Sequence, residues 1–121
     1  MIVVDTNVLA YFFEGKDFAG EIVSQNEIAI SSVSYVEILS NKKLTSKHRE
    51  IVEEFLQTLF INQTNHLICE TAIKFSLTYN IKTADALIAA TAKFLNVPFV
   101  TADEKLHKIK EIEIIKIYSP K

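Results

Sequence analysis

Four acids, Asp5, Glu37, Asp85 and Asp103, are scattered along a chain of 121 residues, at places that folding can bring together. Asp5 follows the apolar run Ile2–Val4 directly, and Asp103 follows the run Phe99–Thr101. Asp85 opens a long apolar stretch, and Glu37 lies inside Val33–Leu39. Two carboxylates about 4 Å apart repel by roughly 4 kcal/mol at an effective dielectric of 20. Several acids in one cleft therefore raise one another's pKa unless a cation sits among them. Only oxygen donors are on offer, which favours Mg2+ or Mn2+ over zinc or copper. Such an ion polarises a phosphodiester and activates water for in-line attack.

Three of the acids have a simpler reading. Asp5, Asp85 and Asp103 each stand where a helix is expected to start, and a carboxylate there caps the helix or complements its dipole. Glu37 is inside a segment, so no cap explains it, although a surface position does.

These acids must be placed by short elements. Ile2–Val4, Ile28–Ile30, Phe60–Asn62, Phe99–Thr101 and Ile112–Ile117 read as strands. Between them, Thr6–Phe13 reads as a helix, and Ser31 or Ser32 can cap the next. Thr45–Leu59 is amphipathic, with Ile51, Val52, Phe55, Leu56 and Leu59 at helical spacing. Asn65 caps a helix running to about Thr78, and Thr83 caps Ala84–Leu95, which is apolar nearly all round and ends at Asn96 and Pro98. Ala102–Ile109 reads as a short helix. Strands alternating with helices predict an α/β domain, a mostly parallel sheet with helices on both faces. Ligands in such folds gather beyond the carboxyl ends of the strands. If the strands before Asp5 and Asp103 are parallel neighbours, both carboxylates emerge at one edge.

Composition narrows the class. Hydrophobic residues make up 49% and charged residues 23%, which suits one globular domain over residues 1–121. No apolar run reaches the roughly 18–20 residues of a membrane span. The opening Met1-Ile2-Val3-Val4-Asp5 lacks a basic region, so no signal peptide and a cytoplasmic location are expected. Cys69, the one cysteine, reads as a small buried hydrophobe. His48, His66 and His107 have no partner at zinc spacing. The net charge of −2 counts mildly against a dedicated nucleic-acid binder. Residues 1–60 carry 5 basic and 9 acidic side chains, however, and residues 61–121 carry 8 and 6. Lys82, Lys93, Lys105 and Lys108 lie near two of the acids, either as a basic rim or as ordinary solvated lysines.

Read in order, four strings form a pattern. Val4-Asp5-Thr6-Asn7 resembles the start of a PIN domain, and Ser34-Tyr35-Val36-Glu37-Ile38 resembles its second acidic motif. Thr83-Ala84-Asp85-Ala86-Leu87-Ile88-Ala89-Ala90-Thr91 is similar to the third, and Val100-Thr101-Ala102-Asp103 to the fourth. The resemblance covers nearly the whole chain, and its compact form is similar to the VapC-type toxins of toxin–antitoxin pairs. It implies a five-stranded parallel sheet and a Mg2+- or Mn2+-dependent endoribonuclease. It also implies an RNA substrate, a small antitoxin partner and a homodimer. Asp5 and Asp85 then become the best-placed metal ligands, while Glu37 and Asp103 bind metal or its waters, or orient the attacking water. Thr6, Asn7 and Thr101 become supporting residues and Lys82 a phosphate contact. Two departures stand out: Leu106 where an aromatic is common, and Lys82 where Arg is common, which keeps charge but loses the bidentate fork. A stand-alone PIN nuclease for RNA processing is an alternative reading. A non-catalytic PIN-like binding module is another, against which the presence of all four acids argues.

Overall fold

The computed structural model describes residues 1–118. Its five strands are β1 (Ile2–Val4), β2 (Ile28–Ser31), β3 (Phe60–Asn62), β4 (Phe99–Thr101) and β5 (Ile114–Lys116). The helices are α1 (Thr6–Phe13), α2 (Asp17–Gln25), α3 (Ser32–Leu39), α4 (Ser46–Leu56), α5 (His66–Tyr79) and α6 (Thr83–Leu95). The strands form one sheet in the order β3-β2-β1-β4-β5, and every pairing is parallel.

Side chains alternate across a strand, so a run of three apolar residues serves two faces. Val3, Ala29 and Phe99 point to one layer, where they meet Ile68, Ala72 and Phe75 of α5 and the buried alanines of α6. Ile2, Val4, Ile28, Ile30 and Val100 point to the other, against Val8 and Leu9 of α1, Ile38 of α3, and Val52 and Leu56 of α4. Both faces are thus covered, which is why the central strands read as continuous apolar runs. Helix α6 buries Ala86, Ile88, Ala89, Ala90, Thr91 and Ala92, as its nearly all-round apolar pattern requires. Helix α3 packs Val33 into the first layer and Ile38 into the second, so it bridges them.

The caps follow the sequence at several ends. Ser31 receives the Val33 N–H, Thr45 the His48 N–H and Asn65 the Ile68 N–H. Asn80 and Asn96 end α5 and α6 in the left-handed conformation that asparagine tolerates.

Several expectations need correction. Helix α2 has no counterpart in the sequence reading: it buries only Ala19, contains Gly20 and has no side-chain cap. Helix α4 ends at Leu56, and the chain turns through Gln57–Leu59 to reach β3. Its Ile51 is 55% exposed, because Val52 and Leu56 define the buried stripe one position round. Cys69 is exposed, since α5 turns Ile68, Ala72 and Phe75 inward and leaves Cys69 about 100° away. Thr83 is the first residue of α6, and the residue before it, Lys82, makes no side-chain capping bond. Of the helix expected over Ala102–Ile109, only a 3-10 turn at Leu106–Lys108 forms. The last strand is shorter than Ile112–Ile117.

The layer assignment makes a stability prediction. Phe75→Ala, which empties a buried site on α5, should cost about 3–5 kcal/mol in urea unfolding. Leu67→Ala, at a position 60% exposed on the same helix, should change stability by no more than about 0.5 kcal/mol.

Candidate active site

The order of the strands reverses between β1 and β4: β2 and β3 lie to one side, β5 to the other. This switch point leaves a crevice at the carboxyl ends of the two central strands. Asp5 and Asp103 stand just beyond those ends, as neighbouring parallel strands require. Asp85 enters from the first turn of α6 and Glu37 from α3, which bridges the layers above the same edge.

Asp5 is 3% exposed. Its Oδ1 accepts the Thr6 N–H at 2.8 Å, so it does cap α1, and its Oδ2 accepts from Thr101 Oγ1 at 2.6 Å. The Thr101 hydroxyl also accepts the Asp103 N–H at 3.0 Å, tying the fourth acid to the first. Asp103 Oδ1 accepts the Lys105 N–H at 3.0 Å, which closes the turn carrying Lys105. Asn7 Oδ1 accepts the Ala102 N–H at 3.4 Å and holds the same loop to α1. His107 Nε2 donates to the Thr101 carbonyl at 2.8 Å, giving the turn a third tether.

Glu37 is exposed, and it is held by a relay. Thr6 Oγ1 lies 2.7 Å from Glu37 Oε1 and 2.9 Å from Ser34 Oγ. A hydroxyl has one proton and an ionised carboxylate can only accept, so Thr6 donates to Glu37 and Ser34 completes the chain. Ser34 is fully buried. Its part was not legible beforehand, although its place three residues before Glu37 puts both on one helical face.

The four acids form one electrostatic network. Burial pushes the Asp5 carboxyl up to about 6, against the two hydrogen bonds that lower it, and the charges of Asp85 and Asp103 raise it further. Asp85 is raised first by burial, then by Asp103 and Glu37, while Lys82 and Lys105 pull it down. Asn80, Ile81, Lys82, Asp85, Asp103 and Lys105 line a cleft of about 160 Å3. Four carboxylates against two ammoniums leave two negative charges, which one divalent cation neutralises.

The donor set fits a hydrated hard cation. All four acids offer oxygen alone, the choice of Mg2+ or Mn2+. Among the described residues no three His, Cys, Asp or Glu side chains close into a cage. Mg2+ does not need one, because it keeps several waters and takes one or two carboxylates plus phosphate oxygens.

Fold and site together define an all-parallel α/β domain with an acidic centre at its switch point. The PIN domain family profile matches residues 2–112, and the chain belongs to that family. No curated protein sequence matches the chain. Among solved structures it superposes on a chain of a toxin–antitoxin complex from Klebsiella pneumoniae with a TM-score of 0.85 at 23% identity, covering 95% of this chain and 96% of that one. A chain of VapBC2 from Rickettsia felis, bound to a DNA fragment from its promoter, matches with a TM-score of 0.81 at 22% identity, covering 97% and 99%. A chain of DNA-bound VapBC from Salmonella typhimurium matches with a TM-score of 0.82 at 19% identity, covering 95% and 96%. These likenesses show the shared fold.

The raised Asp5 pKa predicts how stability follows pH without metal. The folded state holds the Asp5 proton more tightly than the unfolded chain, whose carboxyl titrates near 3.8. That contribution is complete below about 3.8 and is lost as pH rises through about 6. A shift of this size corresponds to something on the order of 3 kcal/mol. In chelator at pH 7, Asp5→Asn should therefore unfold at higher urea than the parent, and the gap should close toward pH 4. A variant less stable than the parent at pH 7 would contradict this account.

Proposed function

We propose that the chain is a divalent-metal-dependent endoribonuclease and the toxin of a VapBC-type toxin–antitoxin pair. The observation that carries the reading is the acidic network at the β1–β4 switch point, coupled through Asp5, Asp85, Asp103 and Glu37. Family membership supports it, as does the likeness to chains from toxin–antitoxin complexes. A cytoplasmic setting belongs to the same reading. No helix among the described residues is long and apolar enough to cross a membrane.

Asp5 and Asp85 would hold Mg2+ or Mn2+, with Asp103 completing the set through water. When bound, the ion supplies positive charge that stabilises the phosphorane-like transition state and makes water a better nucleophile. Asp5, fixed by Thr6 and Thr101, gives a carboxylate whose position does not depend on substrate. Glu37, the exposed acid, is aimed by Thr6 and can orient the attacking water and take its proton. Thr101 and Asn7 keep the loop of Asp103 in register with Asp5.

The proposal includes a homodimer. A groove of about 370 Å3 between α5 and α6 is lined by Cys69, Ala72, Ile73, Leu77 and Ala86 among others and carries no charged side chain. Exposed apolar surface of this kind marks association sites.

The reading is tested with purified protein and a panel of structured and single-stranded RNAs. Cleavage should require Mg2+ or Mn2+ and stop in EDTA. Asp85→Asn should lose at least about 100-fold in rate, and Thr6→Val about 10–100-fold, the usual range for a residue that supports a metal-site acid. Both should keep the parent's circular dichroism spectrum. Cleavage that persists in EDTA, or in Asp5→Asn and Asp85→Asn alike, would refute the metal mechanism. Relief of growth arrest by the product of an adjacent small reading frame would separate a toxin from a stand-alone RNA-processing nuclease.

A further inference from the structure

We propose that His107 is a positioning residue for Asp103, holding the fourth acid in place by closing the turn that carries it. The inference rests on the metal-site part of the ribonuclease reading and extends it to a side chain outside the acidic centre.

The segment around His107 does not need an imidazole to form. Its 3-10 turn, Leu106–Lys108, is anchored by the fully buried Leu106, and the His107 N–H bonds the Glu104 carbonyl at 3.2 Å, as any residue but proline could. The side chain does something further. Half-buried, it reaches back six positions and places Nε2 2.8 Å from the Thr101 carbonyl. A carbonyl only accepts, so Nε2 carries the proton. The edge-to-face contact with Tyr118, at a centroid distance of 5.5 Å, restricts the ring further.

Thr101 is the fixed point of this loop. It is fully buried, and its carbonyl also accepts the Ile117 N–H at 3.0 Å. Ala102–Leu106 leave Thr101 and return to it through His107. At the near end the Thr101 hydroxyl receives the Asp103 N–H at 3.0 Å, and at the far end its carbonyl receives the imidazole. Between them, Asp103 Oδ1 accepts the Lys105 N–H at 3.0 Å, and the Asp103 carbonyl accepts the Leu106 N–H at 3.0 Å. The carboxylate is therefore oriented by an amide on the His107 side of the loop. That bond occupies Oδ1 and leaves Oδ2 to meet a cation or its water.

Packing alone does not supply this orientation. Burial of Leu106 holds the turn down without direction, so the turn can still pivot about it. The His107 bond is directional and lies two positions from the Lys105 amide, which stops the pivot. Asp103 also needs an external hold. Its charge and that of Asp85 oppose each other, and without a cation this repulsion drives the partly exposed Asp103 outward. Closing the loop on Thr101 resists that motion.

The test uses the full chain and Mn2+, titrated by water-proton relaxation. His107→Phe keeps a ring against Tyr118 and removes the donor. His107→Gln keeps an N–H donor at similar reach and removes the ring, and His107→Ala removes both without adding bulk. His107→Phe and His107→Ala should each weaken Mn2+ binding about tenfold, as loss of support for a metal-site acid does, while His107→Gln stays within about twofold of the parent. In an Asp103→Asn background His107→Phe should add nothing, as action through Asp103 requires. Without metal, the Lys105 amide should exchange with deuterium faster in His107→Phe and His107→Ala than in the parent, at an unchanged circular dichroism spectrum. A residue that only supports the fold would lower the urea midpoint and leave Mn2+ affinity alone. The parent's affinity in both His107→Phe and His107→Ala, an equal loss in His107→Gln, or a loss that persists beside Asp103→Asn overturns the inference. A parent that binds no Mn2+ overturns it together with the metal site. The expected pattern in a chain that cleaves no RNA overturns the ribonuclease reading alone.

Discussion

The carboxyl ends of β1 and β4 are joined by a buried hydrogen bond, from the Thr101 hydroxyl to Asp5 at 2.6 Å. It spans 96 positions in sequence. A buried carboxylate must find partners or lose its charge, and Asp5 finds them in Thr101 and the Thr6 amide. The same threonine receives the amide of Asp103, so one hydroxyl sets the position of two acids. Remove that link and the turn at Ala102–Asp103 loses one of its tethers, beside those made by Asn7 and His107. The acidic centre depends on this junction more than on any single acid.

The junction in turn depends on the topology. A parallel sheet that grows outward in both directions from β1 leaves a gap where its order reverses. The gap is flanked by residues from four distant segments, since each neighbour is reached by a crossover. Apolar runs of three or four residues are enough to build it, because Val3 serves one layer while Ile2 and Val4 serve the other. Helix α6 completes the arrangement. Its alanines let it approach the sheet closely, and its first turn brings Asp85 to the acids.

Much of this was legible in the sequence, for reasons that can be named. The strands before Asp5 and Asp103 are apolar on both faces, and strands of that kind belong in a covered parallel sheet. Their adjacency was a condition in that reading, since alternating helices do not fix strand order, and the order β3-β2-β1-β4-β5 meets it. Helix α2 was not legible, because a helix that buries little beyond Ala19 leaves only a faint periodic trace. The exposure of Cys69 and Ile51 was missed for a related reason. A residue's type does not say which side of a helix faces the core when apolar residues lie on several sides, as in α5, and in α4 Ile51 lies at the outer edge of one broad apolar stripe. Capping was read correctly where a serine, threonine or asparagine met an amide, and wrongly at Thr83, where the helix end faces the cleft. Ser34 escaped notice since a serine in an apolar helix signals nothing until its partner, Thr6, is placed 28 residues away in sequence.

The acidic centre is also a source of instability that the rest of the domain must offset. Burial and like charges raise Asp5 and Asp85 together, and no buried side-chain polar atom among the described residues lacks a partner to which blame could be shifted. The strain is therefore electrostatic. It is held by packing, with Val8 and Leu9 fixing α1 behind Asp5 and with Ala86 and Ile88 fixing α6 behind Asp85. Asp5 and Asp85 cannot relax by moving apart, because α1 and α6, which carry them, have their apolar faces committed to the core. The remaining way to lower its energy is to accept positive charge. This is the physical sense in which a core of small and branched apolar side chains holds the acids where a proton or a cation would lower their energy.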